Sequence, residues 1–204
     1  MSEKQNIVVM DLEGVLVPEI WIAFSEKTGI PELRRTTRDE PDYDKLMRGR
    51  LKILDDRGLG LPDIQEVIGS LRPLDGAKEF VSRLREETQV VILSDTFEQF
   101  AAPLMKQLGW PTLLCHRLVT DETGRIVDYR LRMQNQKMHA VEALQSLNYR
   151  VIAFGDSFND TAMIGKADRG YLFHAPQNIR EQFPQFPAFD DYPELLAEIE
   201  SQLR

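Results

Sequence analysis

The chain has 204 residues, 42% of them hydrophobic, with a formal net charge of −8 at neutral pH and a pI near 5.0. This length suits one domain, or a core with a small insertion, and is enough to bury a sizeable apolar interior. The acidic balance argues against a nucleic-acid-binding surface, which would be basic, and no dense lysine or arginine run could bind an anionic membrane.

The cysteine content and the polar start of the chain are used to predict the cellular compartment. A single cysteine, Cys115, excludes an intrachain disulfide. The polar start leads directly into an apolar segment, with neither a secretory signal nor a membrane-length apolar run. We therefore expect a reduced, cytoplasmic protein. Cys115 follows the run Thr112-Leu113-Leu114 and is interpreted as a small core residue, with a reactive thiol as the alternative.

The first third of the chain predicts one strand followed by helices. Residues 7–10 form an apolar run typical of a buried strand. Helices are then predicted over residues 18–28, 43–57 and 62–71, with a charged loop over 34–42. One crossover helix normally connects two parallel strands, so three indicate an insertion. We predict a catalytic core of residues 1–16 and 73–204 and a helical cap of residues 17–72 over the carboxyl edge of the sheet.

The rest of the chain alternates between helices and strands. Strands are predicted over 90–93, 151–154 and 171–173, and helices from 75 and over 97–108, 137–147 and 195–203. Residues 113–120 and 125–132 flank a turn and predict a β-hairpin, which would form a small flap. The proline-rich segment 183–189 is predicted to lack regular structure. This alternation predicts an α/β fold with a Rossmann-like parallel sheet.

Three polar stretches directly follow or end the buried strands: Asp11-Leu12-Glu13-Gly14, Ser94-Asp95-Thr96 and Gly155-Asp156-Ser157-Phe158-Asn159-Asp160. Ligands of open α/β sheets bind at the carboxyl ends of the strands, so we expect these stretches to converge. Lys137 would add an ammonium group, with Lys166 as the competing candidate. Mg²⁺ prefers hard oxygen ligands, and a carboxylate can attack phosphorus. The set predicts Mg²⁺-dependent phosphoryl transfer through an aspartyl phosphate.

Each stretch has an ordinary structural explanation when it is taken alone. Asp11 could stabilise a turn, Ser94 could cap a helix, and Lys137 could be a surface lysine. Asp160 could be a second acid, a support for the metal ligands or a helix cap, and Asn159 could hold a water or a substrate oxygen. The three histidines share no metal-ligand spacing and are assigned no catalytic role; they are His116, His139 and His174.

The four elements, in this order, resemble the phosphatases of the haloacid dehalogenase superfamily. The resemblance implies that Asp11 is the nucleophile and that Mg²⁺ binds Asp11, the Glu13 carbonyl and Asp156. Glu13 would be the general acid and base, where most members of the superfamily have aspartate. It further implies that the substrate is bound by Ser94, Asp95, Lys137 and Asn159, with Asp160 supporting the metal ligands.

Beyond these motifs, the chain resembles the phosphoserine phosphatase branch of the superfamily. The cap stretch Tyr43-Asp44-Lys45-Leu46-Met47-Arg48-Gly49-Arg50-Leu51 is similar to the segment that carries a carboxylate-binding arginine. The resemblance therefore assigns the substrate carboxylate to Arg50. Glu19 lies one position from a glutamate that binds the substrate amine.

A closer resemblance is to the bacterial phosphoserine phosphatase/homoserine phosphotransferase group, which also has glutamate at the second acidic position. The segments of this sequence that carry the resemblance are Asp-Leu-Glu-Gly-Val-Leu-Val-Pro-Glu-Ile-Trp, Thr-Leu-Leu-Cys-His, Phe-His-Ala-Pro and Phe-Pro-Gln-Phe-Pro-Ala. The resemblance implies hydrolysis of L-phosphoserine, phosphoryl transfer to L-homoserine, a part in serine and threonine biosynthesis, and a homodimer.

Three alternatives remain open from the sequence. A related phosphatase could act on another small phosphorylated metabolite, because the cap contacts alone would set the substrate. A non-enzymatic receiver could be phosphorylated on Asp11, although it would need neither a cap nor Glu13. A catalytically inactive interaction protein would not need every motif residue, yet all are present.

Overall fold

The computed structural model of the protein describes residues 3–36, 39–40 and 42–203. Its centre is a seven-stranded sheet with the strand order β4-β3-β2-β1-β5-β6-β7. The strands are β1 Gln5–Met10, β2 Gln89–Phe97, β3 Thr112–Thr120, β4 Ile126–Arg130, β5 Tyr149–Gly155, β6 Arg169–Phe173 and β7 Ala188–Phe189. All neighbouring strands are parallel except β3 and β4, which pair as an antiparallel hairpin.

Helices cover both faces of this sheet. In the described residues they are α1 Ile20–Thr28, α2 Tyr43–Asp56, α3 Leu61–Gly69, α4 Ala77–Glu87, α5 Glu98–Gln107, α6 Gln136–Ser146, α7 Thr161–Lys166, α8 Gln177–Gln182 and α9 Tyr192–Leu203. Short 3₁₀ helices span Pro31–Arg34 and Phe158–Asp160. None of these helices has the length and apolar character needed to cross a membrane.

Strand β1 is the central strand because its side chains are apolar on both faces. Val8 and Met10 point into one buried cluster, and Ile7 and Val9 point into another, as expected from the two-residue period of a strand. Helices α1 to α5 and α9 contribute most of the helical residues of the first cluster, and α6 and α7 contribute most of those of the second. A strand buried on both faces holds the residue that follows it rigidly.

The register brings three strand ends together. Met10 pairs with Ile92 of β2 and with Phe154 of β5. Because the three strands are parallel, the segments that follow them emerge at the same edge of the sheet. The α/β fold, its parallel sheet and the hairpin predicted from the sequence are therefore confirmed.

Two sequence-based predictions are wrong in detail. Segment 183–189 is not wholly irregular, because Ala188 and Phe189 pair with Leu172 and Phe173 and add an edge strand; α8 was not predicted at all. Cys115 is only half-buried and lies outside both apolar clusters. Burial and the nearby Glu98 raise the pKa of its thiol to about 12, so it stays protonated.

The predicted charged loop over residues 34–42 is described only in part. Residues 37, 38 and 41 of that loop lie outside the described residues, as do the chain ends at positions 1, 2 and 204.

Two glycines test this packing, because a side chain would clash at one of them and meet open space at the other. A Cβ at Gly170 in β6 would lie 2.4 Å from the backbone oxygen of Ile164, whereas at Gly49 in α2 it would meet nothing within 4 Å. We expect Gly170→Ala to lower the free energy of unfolding by roughly 1–3 kcal/mol through overpacking. Gly49→Ala should raise it by about 0.5–1 kcal/mol. Urea unfolding of both variants measures this, and an unchanged Gly170→Ala would contradict the close approach.

Candidate active site

Asp11 occupies the centre of the sheet edge. It directly follows β1, its backbone N–H donates to the carbonyl oxygen of Phe154 at 3.2 Å, and its Oδ1 accepts from the Leu12 N–H at 2.7 Å. The residue is 5% exposed. Burial raises the pKa of Asp11 well above its usual value, and Lys137 offsets only part of this effect. The strand ladder thus holds a carboxylate where desolvation makes its charge costly.

Lys137 neutralises part of this charge. It enters from α6 with its Nζ 2.9 Å from Asp11 Oδ2 and 2.8 Å from Asp160 Oδ1, and it is 4% exposed. Burial opposes the charge on the ammonium, but Asp11, Asp160 and Asp95 together raise its pKa well above the usual value. The competing candidate, Lys166, instead forms an exposed pair with Glu142 at 2.9 Å. The structure therefore brings Lys137, and not Lys166, to Asp11.

Asp160 links the lysine to the loop that follows β5. Its Oδ2 accepts from the backbone N–H groups of Asp156 and Ser157 at 3.2 and 3.1 Å, and from the Ser157 hydroxyl at 3.0 Å. It is fully buried, and a Cβ at Gly155 would lie 2.4 Å from its carboxyl carbon. Protein donors thus surround both oxygens of Asp160, which suits a supporting role.

Asp156 faces Asp11 across the turn at Gly14. Gly14 has a φ of +74°, and a Cβ there would lie 2.4 Å from Asp156 Oδ2. Both the left-handed backbone and the close approach require glycine at this position. Burial, followed by the charges of Asp160 and Glu19, raises the pKa of Asp156 to about 7.

This carboxylate cluster fits a divalent cation. Oxygens of Asp11, Asp156 and Asp160 all lie within 4.8 Å of one another, and Lys137 is the ammonium in direct contact with the cluster. Burial is the main cause of the raised pKa values of Asp11 and Asp156, and the neighbouring carboxylates add to it. Hard oxygen donors in this arrangement are typical of a site for a small divalent metal ion.

Glu13 contacts the start of α1. Its Oε2 accepts from the backbone N–H of Ile20, at the first turn of α1, at 2.8 Å. Burial is the main cause that raises the pKa of Glu13 to about 7, and the charge of Glu19 adds to it. A carboxyl group with a pKa near neutrality can both donate and accept a proton.

A cavity of about 600 Å³ connects the core residues to the helical segment. The sequence-predicted residues in its lining are Asp11, Glu13, Glu19, Arg50, Ser94, Asp95, Lys137 and Asn159. Asp156 and Asp160 do not line the cavity, but their oxygens lie within 4.8 Å of one another and of Asp11. The structure therefore brings all predicted site residues to one place.

Arg50 reaches the cavity from α2. Its guanidinium lies 4.5 Å from the centre of the Trp21 ring, and its Nη2 donates to the carbonyl oxygen of Arg35 at 2.6 Å. Among the described residues, its buried Nε has no hydrogen-bond partner. Burial lowers the pKa of Arg50 to about 10, against the opposing charges of Glu13 and Glu19. A buried, incompletely bonded guanidinium suits an anionic ligand group. Glu19 is exposed at the start of α1.

Ser94, Asp95 and Asn159 also line the cavity. Ser94 is 2% exposed and its Oγ accepts from the Thr96 N–H at 3.3 Å. Asn159 donates from its side-chain nitrogen to Asp95 Oδ2 at 3.0 Å. Burial opposes the charge of Asp95, but hydrogen bonds from His116 and Gln136 and the nearby Lys137 lower its pKa below the usual range.

Sequence reasoning missed several residues of the cavity. His116, to which the sequence analysis assigned no role, is 5% exposed and lies 3.5 Å from Asp95. Trp21, Tyr43 and Thr96 also line the cavity. His116 pairs in register with Phe97 on the neighbouring strand. His116 lies in the middle of β3, four residues before the end of the strand, and spacing relates it to none of the four motifs, so the sequence offered no signal for it.

A family model for haloacid dehalogenase-like hydrolases matches residues 6–168. The chain belongs to this family of hydrolases.

Two proteins named as phosphoserine phosphatases are similar over most of their length. The phosphoserine phosphatase of Pseudomonas syringae pv. tomato is 65% identical over 95% of this chain and 81% of its own. The phosphoserine phosphatase ThrH of Pseudomonas aeruginosa is 62% identical over 95% of this chain and 94% of its own.

Among solved structures, a phospho-aspartyl intermediate analogue of phosphoserine phosphatase shares the fold with a TM-score of 0.78. It is 19% identical, and the alignment covers 96% of this chain and 99% of the other.

The two lysines provide a matched test of the buried ion cluster. Lys137→Met leaves Asp11 and Asp160 without their ammonium partner, which should lower the free energy of unfolding by roughly 3–5 kcal/mol in EDTA at neutral pH. Lys166→Met removes an exposed pair and should change it by less than about 1 kcal/mol. The Lys137→Met deficit should shrink as the pH falls, because carboxyl groups with raised pKa values are most stable in the fold when protonated.

Urea unfolding at several pH values measures these differences. Equal losses in the two variants, or a Lys137→Met deficit that grows in acid, would contradict the ion cluster described above.

Proposed function

We propose that the protein hydrolyses L-phosphoserine through an aspartyl phosphate on Asp11 and passes the phosphoryl group to water or L-homoserine. The observation that carries the proposal is the cavity that joins Asp11 and Lys137 to the buried guanidinium of Arg50. One end suits a phosphate and the other a carboxylate, the two anionic groups of phosphoserine. The 65% and 62% identities with phosphoserine phosphatases support the same substrate.

The cation that suits the carboxylate cluster is Mg²⁺. Asp11, Asp156 and the backbone carbonyl of Glu13 would hold it, and Asp160 would keep Lys137 and the following loop in place. When bound, Mg²⁺ supplies positive charge that attracts the phosphoryl oxygens and offsets the repulsion between the carboxylates.

The residues of the chain then have distinct parts in the reaction. A carboxylate oxygen of Asp11 attacks phosphorus, and the bond from phosphorus to the serine oxygen breaks. Glu13 gives its proton to the leaving serine oxygen. In the second half, Glu13 takes a proton from water or from the homoserine hydroxyl as that oxygen attacks phosphorus, and the bond from phosphorus to the Asp11 oxygen breaks, which restores the carboxylate. Lys137, Ser94 and Asn159 would hold the transferred group.

The substrate's amino-acid end would be held by the cap. Arg50 would bind the carboxylate, and Glu19, exposed at the cavity, would face the ammonium group. We propose residues 17–72 as the cap and the remainder as the core. We also propose a cytoplasmic location, which rests on the cysteine content, and a homodimer, which rests on the resemblance; fractionation and light scattering would test them.

The direct test is turnover of L-phosphoserine with Mg²⁺, with and without L-homoserine, and products separated by mass spectrometry. Serine and phosphate are expected in both reactions, and phosphohomoserine only in the second. EDTA should abolish turnover and Mg²⁺ restore it. Excess Ca²⁺ should inhibit, because it takes more ligands in a looser geometry. Turnover of other small phosphate esters but not of phosphoserine would favour a different metabolite.

Asp11→Asn should remove the nucleophile with little change in shape. We expect turnover to fall by roughly 10⁴-fold or more, as for other covalent nucleophiles. The matched control is Asp56→Asn, an exposed residue paired with Lys52, which should keep wild-type turnover. Retention of one-tenth of the activity by Asp11→Asn would exclude the aspartyl-phosphate mechanism.

Arg50→Lys should affect amino-acid substrates selectively. Lysine cannot form the two parallel hydrogen bonds by which arginine binds a carboxylate. Since each charge-assisted bond contributes roughly 1.5–3 kcal/mol, KM for phosphoserine should rise by about ten-fold or more. KM for a small aryl phosphate, which has no carboxylate, should stay near the wild-type value. Equal increases for both substrates would indicate a structural role.

Glu13→Asp should change the ratio of phosphohomoserine to free phosphate. Homoserine would be oriented by the cap, whereas water depends wholly on the base, so the two acceptors should respond differently to a carboxylate withdrawn by one methylene. Glu13→Gln should lower both products. The ratio is measured at saturating homoserine, and an unchanged value would place the choice of acceptor in the cap.

A further inference from the structure

Asp95 is the meeting point of four segments of the active site. Its Oδ2 accepts from the Asn159 side chain at 3.0 Å and lies 3.9 Å from Lys137 Nζ. Its backbone oxygen accepts from the Tyr43 hydroxyl of α2 at 3.3 Å. A change in the orientation of Asp95 would therefore affect the end of β2, the loop after β5, α6 and the cap.

Two buried side chains lie behind Asp95. Gln136, which is 2% exposed, donates from its Nε2 to Asp95 Oδ1 at 3.0 Å. His116, which is 5% exposed, has its Nε2 at 3.5 Å from the same oxygen. No part of the reaction proposed above uses either residue.

Arg132 determines where the hydrogen of His116 lies. The backbone N–H of Arg132 points at His116 Nδ1 at 3.1 Å. A backbone N–H can only donate, so Nδ1 must accept. In a neutral imidazole the hydrogen then lies on Nε2, which is the nitrogen that faces Asp95.

Arg132 also determines the orientation of the Gln136 amide. Its Nε donates to Gln136 Oε1 at 3.0 Å, so the amide nitrogen points the other way. There Nε2 has two hydrogens and two acceptors, the backbone oxygen of Ser94 and Asp95 Oδ1. Gln136 Nε2 and His116 Nε2 are 3.4 Å apart, but no hydrogen bond joins them, because both nitrogens carry hydrogen and neither can accept. Gln136 thus donates one hydrogen to Asp95 Oδ1 at 3.0 Å, and His116 Nε2 lies 3.5 Å from the same oxygen.

We propose that His116 and Gln136 are positioning residues, which hold Asp95 in the one orientation that keeps Asn159 and Ser94 around the transferred phosphoryl group. Arg132 sets the tautomer of the first and the amide orientation of the second. The kinetic part of this inference rests on the proposed phosphatase function, and the tautomer of His116 does not.

Two substitutions of His116 separate positioning from simple packing, since its ring also lies 6.3 Å from that of Phe97. His116→Gln keeps an N–H near the position of Nε2, and His116→Phe keeps the ring but no donor. We expect His116→Phe to lower kcat by roughly ten-fold to a hundred-fold, the range for loss of hydrogen-bond partners that orient site residues. His116→Gln should retain most of kcat, and KM for phosphoserine should change little in either.

Stability should show the opposite order. His116→Phe should have an unfolding midpoint equal to or above that of His116→Gln, because it preserves the packed ring. The control is His139→Gln, which removes a half-exposed pair with Glu142 and should leave kcat unchanged. If activity follows stability, with His116→Phe more active than His116→Gln, His116 only fills space and the proposal fails.

A double-mutant cycle tests whether His116 acts through Asp95. In an Asp95→Asn background, His116→Phe should cause less than about a two-fold further loss of kcat, because the residue that it positions has already changed. Independent losses that multiply would overturn the proposal.

The tautomer can be observed in the free wild-type protein. Nitrogen-15 NMR of the imidazole should show the hydrogen of His116 on Nε2 and an unprotonated Nδ1. A hydrogen on Nδ1 would overturn the proposal whatever the variants do. A wild-type protein that turns over an aryl phosphate but not phosphoserine would refute the proposed substrate alone, and the same variants would then be compared on the aryl phosphate.

Discussion

The active site depends on one buried ion cluster, in which the ammonium of Lys137 lies between Asp11 and Asp160. A buried charge is costly unless partners compensate it, so neither the lysine nor the carboxylates can move independently. Asp160 also binds the backbone of the loop after β5. One interaction therefore ties together the end of β1, the first turn of α6 and the loop that carries Asp156.

The same site holds carboxyl groups whose environments shift their pKa values in opposite directions. Burial and neighbouring carboxylates raise the pKa values of Glu13 and Asp156 to about 7. Hydrogen bonds and Lys137 lower that of Asp95 below the usual range. Such separation is typical of sites in which chemically identical groups have different tasks. Glu13 is suited to exchange a proton, Asp156 to face a cation, and Asp95 to remain a fixed anion.

Helix α2 contributes to the site, and its side chains bind the β3–β4 hairpin as well as β2. Arg125 forms two hydrogen bonds with Asp55 of α2, at 2.5 and 2.7 Å, and Tyr129 donates to Asp44 at 2.6 Å. These exposed contacts contribute little individually to stability. Together they keep α2, and with it Arg50, over the carboxyl edge of the sheet.

The sequence by itself determined the strands and the site residues that can be found from the local pattern of apolar and polar residues. Apolar runs located β1, β2 and β5, and the polar residues after them located Asp11, Ser94 and Asp156, since parallel strands expose their ends at one edge. Only the tertiary structure chose Lys137 over Lys166, made Ala188–Phe189 a strand and left Cys115 half-buried. It alone placed His116 against Asp95. These features depend on atoms that are distant in the chain, whereas strand and helix periodicity reports only which face of its own element a side chain occupies.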